Sequence, residues 1–385
     1  MSDFDLESTI SKLDLDAGIF RYKKSKSEDS IISVRNIFDM ATANKNISDI
    51  HFKIDFSPFL RVGNDIKIWN QIYPVDSSIM ETFLNCILSD KQRRQFDEKH
   101  EVNCSLSTNS ARFRVNVGKE INGDYVTARI IPHEIIPANS LGFPNYIWKE
   151  IINLQQGLVL VTGITGSGKS TTLASLIQEI NINFNKKIIC IEDPIEYVHK
   201  NNKSLIIQRE VGIHTDSFYD GVRSSLRQDP DVILIGEIRD SQTAQAALQA
   251  AETGHLVFST LHTKDSAGTI TRYVDLFPEE RKDEIRSSLS DILSYVLCQD
   301  LVPYSNKNVE RILVMEIMKN NSAVSNMIRE GQVKQIYSAI QTSSQEGMIT
   351  MEQCLLNLYK QNRINKETAM QYARKKDYMK KELSR

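Results

Sequence analysis

The segment that most constrains this chain is Gly163-Ile164-Thr165-Gly166-Ser167-Gly168-Lys169-Ser170. It fits G-x-x-x-x-G-K-[ST] at every position, follows an apolar run at 158–162 and opens a helical stretch that begins at Thr171. Strand, glycine-rich turn and helix in that order gather backbone N–H groups and a helix N-terminus around one point, which suits phosphate oxygens. Gly163, Thr165, Gly166, Ser167, Gly168 and Thr171 then form the cradle, with Lys169 on the β- and γ-phosphates and the Ser170 hydroxyl on Mg2+. A turn with no ligand is the competing reading, and the strand–loop–helix setting favours a nucleotide site.

Phosphate chemistry also needs an acid near the metal and a group that positions water. The apolar run at 232–235 delivers Glu237 just beyond its carboxyl end, with Asp231 just before the run. Parallel sheets collect ligands at that carboxyl edge. A second run, 188–191, ends in Glu192-Asp193-Pro194-Ile195-Glu196. Three acids there read equally well as a solvated loop or as catalysis, and the glycine-rich loop tips them toward catalysis. A third run, 256–259, has His255 before it and His262 after it. They are either structural histidines or a γ-phosphate sensor. Metal ligation is not read here, because no other histidine or cysteine stands at ligand spacing.

At 385 residues the chain is long enough for two or three domains. A polar arm is expected over 1–30. An α+β domain follows over 31–131, with helical spacing at Val34, Ile37, Phe38 and Ala41 and strands near 48–54, 59–62, 66–69, 112–117 and 125–131. Prolines at 132, 137 and 144 place a linker over 132–144. Apolar strands alternating with helices over 145–278 predict a parallel sheet covered on both faces. Helical periodicity predicts a helical part over 279–373, and 374–385 reads as a basic tail.

Within the first domain, Arg112-Phe113-Arg114-Val115-Asn116-Val117 alternates strictly. Arg112 and Arg114 share one face. With Arg129 they are either an exposed basic sheet face or arginines that reach a nucleotide's phosphates.

Composition excludes several classes. Apolar residues are 41% and charged residues 25%, ordinary for a globular chain and unlike a disordered one. Lys plus Arg is 47 against 49 acids, so the charge lends no support to a general polyanion binder, and no direct nucleic-acid binding is expected. No apolar run reaches the ~18 residues of a membrane span. The acidic start Met1-Ser2-Asp3 and five scattered cysteines fit a reducing compartment. The expectation is a cytoplasmic protein that meets a membrane only through partners.

Taken in order, these boxes resemble the secretion ATPase superfamily, in its PilT-like branch. Ser48-Asp49-Ile50-His51 resembles its N-domain signature, Ile191 through His199 its Asp box, Gly236 through Asp240 its Walker B end, and Thr253 through Thr263 its His box. Tyr337-Ser338-Ala339-Ile340-Gln341-Thr342 resembles its C-terminal segment. The resemblance implies a PAS-like N-terminal domain, a RecA-like ATPase domain and a homohexameric ring that uses ATP and Mg2+ at an inner-membrane platform or secretion complex. By matching position, Glu237 is the Walker B acid, Glu192 and Glu196 place water and His262 senses phosphate. Arg112, Arg114 and Arg129 are then the N-domain arginines near the nucleotide. Two departures tilt the reading from pilus retraction toward DotB-like secretion or conjugation ATPases. Ser325 stands where retraction ATPases place an arginine, and the N-terminal arm is long. Remoter alternatives are a DNA translocase, which DNA-stimulated turnover would reveal, and a module that binds nucleotide without hydrolysing it.

Overall fold

Strict alternation in one part of the chain and unbroken apolar runs in another produce two kinds of sheet. The computed structural model describes residues 15–16, 18–25, 28–44, 47–63, 65–131, 135–305 and 311–384. The chain divides into two units, Met1–Glu134 and Ile135–Arg385.

In the first unit, β1 (Gly18–Ser25) and β2 (Glu28–Ser33) pair as an antiparallel hairpin that leads into α1 (Val34–Thr42). Next come β3 (Ile47–Lys53), β4 (Phe59–Val62), β5 (Asp65–Ile68), α2 (Ser77–Ile87), α3 (Asp90–Lys99), β6 (Glu101–Ser107), β7 (Arg112–Glu120) and β8 (Gly123–Ile131). The six later strands form one antiparallel sheet in the order β5-β4-β3-β8-β7-β6. Alternation along β7 buries Phe113, Val115 and Val117 in the core beside Phe38, Phe52 and Phe83. The core also takes Leu15 and Phe20. That corrects the expected arm: residues 1–14, 17 and 26–27 lie outside the described residues, but 18–25 pairs with 28–33 and Phe20 is only 1% exposed. One phenylalanine spaced among lysines gives no sequence period, yet its burial docks the segment.

The second unit begins inside the expected linker. Residues 132–134 lie outside the described residues. Beyond them Ala138 is fully buried and its N–H donates to Glu179, while Ser175 Oγ bonds to Ile136 O. The proline-rich stretch from 135 is therefore packed onto this unit. After it come α4 (Ile147–Ile152), β9 (Gly157–Thr162), α5 (Lys169–Asn183), β10 (Lys187–Glu192), β11 (Leu205–Glu210), α6 (Phe218–Ser225), β12 (Val232–Ile235), α7 (Ser241–Glu252), β13 (Leu256–Leu261), α8 (Ser266–Val274) and α9 (Lys282–Ile292). The sheet order is β11-β10-β12-β13-β9-β14-β15, where β14 (Leu293–Pro303) runs parallel to β9 and β15 (Arg311–Lys319) closes the edge antiparallel.

Successive residues of each central strand enter opposite cores. Val159 and Val161 face one, with Ile188, Leu234 and Phe258. Leu158 and Leu160 face the other, with Ile189, Ile233 and Val257. Burial on both faces is why these strands read as continuous apolar runs.

The expected C-terminal helices are present, with two corrections. The stretch 279–373 contains α9 and the helices α10 (Ser322–Arg329), α11 (Ile336–Thr342), α12 (Met351–Lys360) and α13 (Lys366–Tyr372), but β14 and β15 also lie inside it. The basic tail is likewise no solvated end. It forms α14 (Lys376–Glu382), which buries Met379 and Leu383 in the sheet's core. Among the described residues, no helix is long and apolar enough to cross a membrane.

Candidate functional site

The carboxyl ends of β9, β10, β12 and β13 carry the predicted chemistry. Beyond β9 the chain turns through Gly163, whose Cβ, if present, would stand 2.4 Å from Gln299 O and 2.5 Å from Ser167 Oγ. Gly166 has φ of +80°, a conformation that side chains disfavour. These two positions explain why the loop needs glycine. Ser167 is buried and its Oγ has no hydrogen-bond partner in the structure. The Lys169 ammonium donates to Gly163 O at 3.0 Å and Ile164 O at 3.1 Å. Burial lowers its pKa, while Glu237 and Glu196 pull it back up. Ser170 is exposed in the first turn of α5, and Thr171 Oγ1 lies 2.9 Å from Tyr197 OH. Thr165 is exposed on the loop.

Glu237 follows β12 and is ion-paired with Arg239, while its Oε2 lies 3.7 Å from His262 Nε2. The pKa of His262 is lowered by burial first, then by Lys169 and Arg239, against the opposing effect of Glu237. Lys169, Glu196, Glu237, Arg239 and His262 thus share one electrostatic cluster. Glu192 is steered differently. Gln208, on β11, donates to Glu192 Oε1 at 2.9 Å and to Tyr197 O at 2.7 Å. Buried Glu210 accepts from Ile195 N at 3.1 Å and holds the same loop.

Two residues flanking the predicted strands lie elsewhere. Asp231 is at the amino edge, where it accepts from Lys187 N and pairs with Lys186. His255 is at that edge too, with Nδ1 2.8 Å from Ala250 O, so only His262 of the two histidines reaches the cluster. The three arginines belong to the first unit. Arg112 donates to Ser105 Oγ at 2.9 Å, Arg114 is exposed opposite Arg129, and Arg129 pairs with buried Asp49 at 2.8 Å.

Sequence reading missed Gln299, Gln208 and Arg239. Gln299, on β14, is 2% exposed and donates to Ser167 O at 2.7 Å, supporting the loop from behind. A lone glutamine in an apolar strand gives no motif to find it by. Arg239 stood within the segment already singled out, two residues past Glu237, and that spacing was the available signal.

The whole pattern has known counterparts. The family model described as "Type II/IV secretion system protein" matches residues 34–383. The type IV pilus retraction ATPase PilT of Pseudomonas aeruginosa is 42% identical over 334 residues, covering 86% of this chain and 96% of PilT. A twitching motility protein of Neisseria gonorrhoeae is 43% identical over 324 residues, covering 84% of this chain and 86% of that protein. The crystal structure of the pilus retraction motor PilT with bound ADP matches with a TM-score of 0.82 at 40% identity, over 90% of this chain and 99% of that one. The Legionella pneumophila ATPase DotB matches with a TM-score of 0.72 at 28% identity, over 87% of this chain and 93% of that one. The chain belongs to the type II/IV secretion system protein family, in its PilT-like branch of ATP-hydrolysing P-loop enzymes.

Proposed function

We propose that this chain is a homohexameric motor that couples ATP hydrolysis to work on a type IV pilus machine at the inner membrane. The observation that carries the reading is 42% identity along 96% of a pilus retraction ATPase, joined to a site with Lys169, Glu237 and His262 in one cluster. In this reading the protein is cytoplasmic and meets the membrane through platform proteins.

The residues fit a nucleoside triphosphate with Mg2+. The loop backbone is cleared of side chains at Gly163, and Ser167 Oγ is a buried polar atom free to meet a phosphate. Ser170 and Glu237 supply the oxygen donors that Mg2+ prefers, with nucleotide phosphates and water completing its shell. When bound, the metal neutralises charge developing on the phosphates. Lys169 binds the β- and γ-phosphates, Glu196 and Glu192 orient water, and His262 faces the γ-phosphate. Arg112, Arg114 and Arg129 are proposed as further positive charge for those phosphates in the assembled ring.

A second reading, a motor for type IV secretion or conjugation, is supported by the likeness to DotB and by Ser325. That hydroxyl donates to Ser290 O at 2.9 Å, a role an arginine would not fill in the same way. The experiment is Lys169→Ala in the native host, scoring surface pili and transfer of protein or DNA. Accumulated pili with intact transfer is the expected result. Lost transfer without accumulation would replace the pilus reading with the secretion one.

A further inference from the structure

Behind the nucleotide cluster lies a buried polar chain that the site chemistry leaves unused. Glu316, on β15, is 2% exposed. Its Oε1 accepts from both Ser266 N and Ser266 Oγ, each at 2.8 Å. Its Oε2 accepts from Arg374 Nη1 at 3.1 Å. Ser266 is the first residue of α8, four residues beyond His262. The loop between them is tied at a second point: Thr263 Oγ1 lies 2.6 Å from Thr269 Oγ1, which reaches Thr162 Oγ1 at 3.5 Å. Thr162 ends β9 directly before Gly163 and donates to Cys298 Sγ, whose strand position is opposite Glu316.

Arg374 is itself held at its backbone. Glu352, fully buried on α12, accepts from Arg374 N and Lys375 N at 2.8 Å each and from Tyr337 OH at 3.0 Å. Two buried carboxylates therefore clamp the residues that lead into α14. Burying a carboxylate is costly, and apolar residues of similar volume would serve packing at least as well. Both oxygens of Glu316 are instead committed, one to the start of α8 and one to the C-terminal segment. A buried pair with directional bonds to a loop end sets where that loop sits.

We propose that Glu316 and Arg374 are positioning residues for ATP turnover, fixing the His262 loop through Ser266 and coupling it to the docked C-terminal helix α14. The proposal rests on the reading of His262 as the residue that faces the γ-phosphate. Neither residue lies in the phosphate loop or in the cluster of Lys169, Glu237 and His262, so their loss should act on turnover more than on binding. Burial raises the pKa of Glu316, and the Arg374 guanidinium and the Ser266 bonds oppose that rise.

The test uses the full chain, comparing ATP turnover, affinity for a fluorescent ADP analogue and Tm. Arg374→Met is expected to lower kcat by about ten- to a hundredfold, the range by which a small displacement of a catalytic group acts. KM for ATP and ADP affinity should stay within about twofold, the signature of an interaction felt only in turnover. Arg374→Lys should recover part of kcat. Ser266→Ala, which removes one bond of the pair, should lower kcat several-fold with ADP affinity unchanged, and Lys380→Ala on the exposed side of α14 should change neither. Wild-type kcat in a folded Arg374→Met protein would overturn the proposal. Should that variant not fold, wild-type kcat in Ser266→Ala overturns it alone. Wild-type kcat in His262→Ala would instead overturn the reading of His262 on which the proposal rests.

Discussion

Glu237 has two unlike neighbours: the Arg239 guanidinium, which it pairs, and the His262 ring 3.7 Å away. With its pKa lowered by burial and by Lys169, His262 is a neutral ring at pH 7, able to donate one hydrogen bond without adding charge. Glu237→Gln keeps the shape of the site and removes the charge. We expect it to retain ATP while turnover falls about 10²-fold or more, read from parallel binding and hydrolysis assays. Turnover at the wild-type rate would remove Glu237 from its role. His199 offers a pH signature of a different kind. Burial lowers its pKa from 6.5 to about 4, with Nδ1 3.2 Å from Gln178 Oε1. Between those values the unfolded chain takes up a proton that the folded one does not, so stability falls as pH drops from 6.5 toward 4. Thermal melts should show that loss, and His199→Gln should flatten it.

At the scale of elements, the docked hairpin β1–β2 is the feature least expected from its charge. Phe20 packs 5.2 Å from Phe83 and 5.5 Å from Phe52 between ring centroids, and with Leu15 and Ile32 it anchors the segment in the core. Phe20→Ala should cost about 3–5 kcal/mol of first-unit stability, measured by denaturant unfolding. An unchanged midpoint would mean that the hairpin adds nothing to the core. The central strands of the second unit were legible because burial on both faces leaves an unbroken apolar run. β14 was not. It follows α9 with no glycine or proline between Ile292 and Leu293, so the helical period carries on into residues that pair as a strand. Gln299 and Asp300 within it broke the apolar signal further.

For the whole molecule, the sequence by itself determined the glycine-rich loop and the division between an antiparallel and a parallel sheet, and it put Glu192, Glu196, Glu237 and His262 just beyond strand ends as candidates. Each of these is local: a turn that requires glycine at fixed spacing, or a strand whose period reports how many faces are buried. Only the tertiary structure decided which acids meet Lys169, that His255 and Asp231 stand at the opposite edge, and that Gln299 and Gln208 hold the loops. It also decided that the basic end of the chain is a docked helix, with Arg374 joined to Glu316 across 58 residues of sequence. Those outcomes depend on which strand lies beside which. A charged or amide side chain looks the same in sequence whether it faces water or closes a buried hydrogen bond, and only the packing around it distinguishes the two.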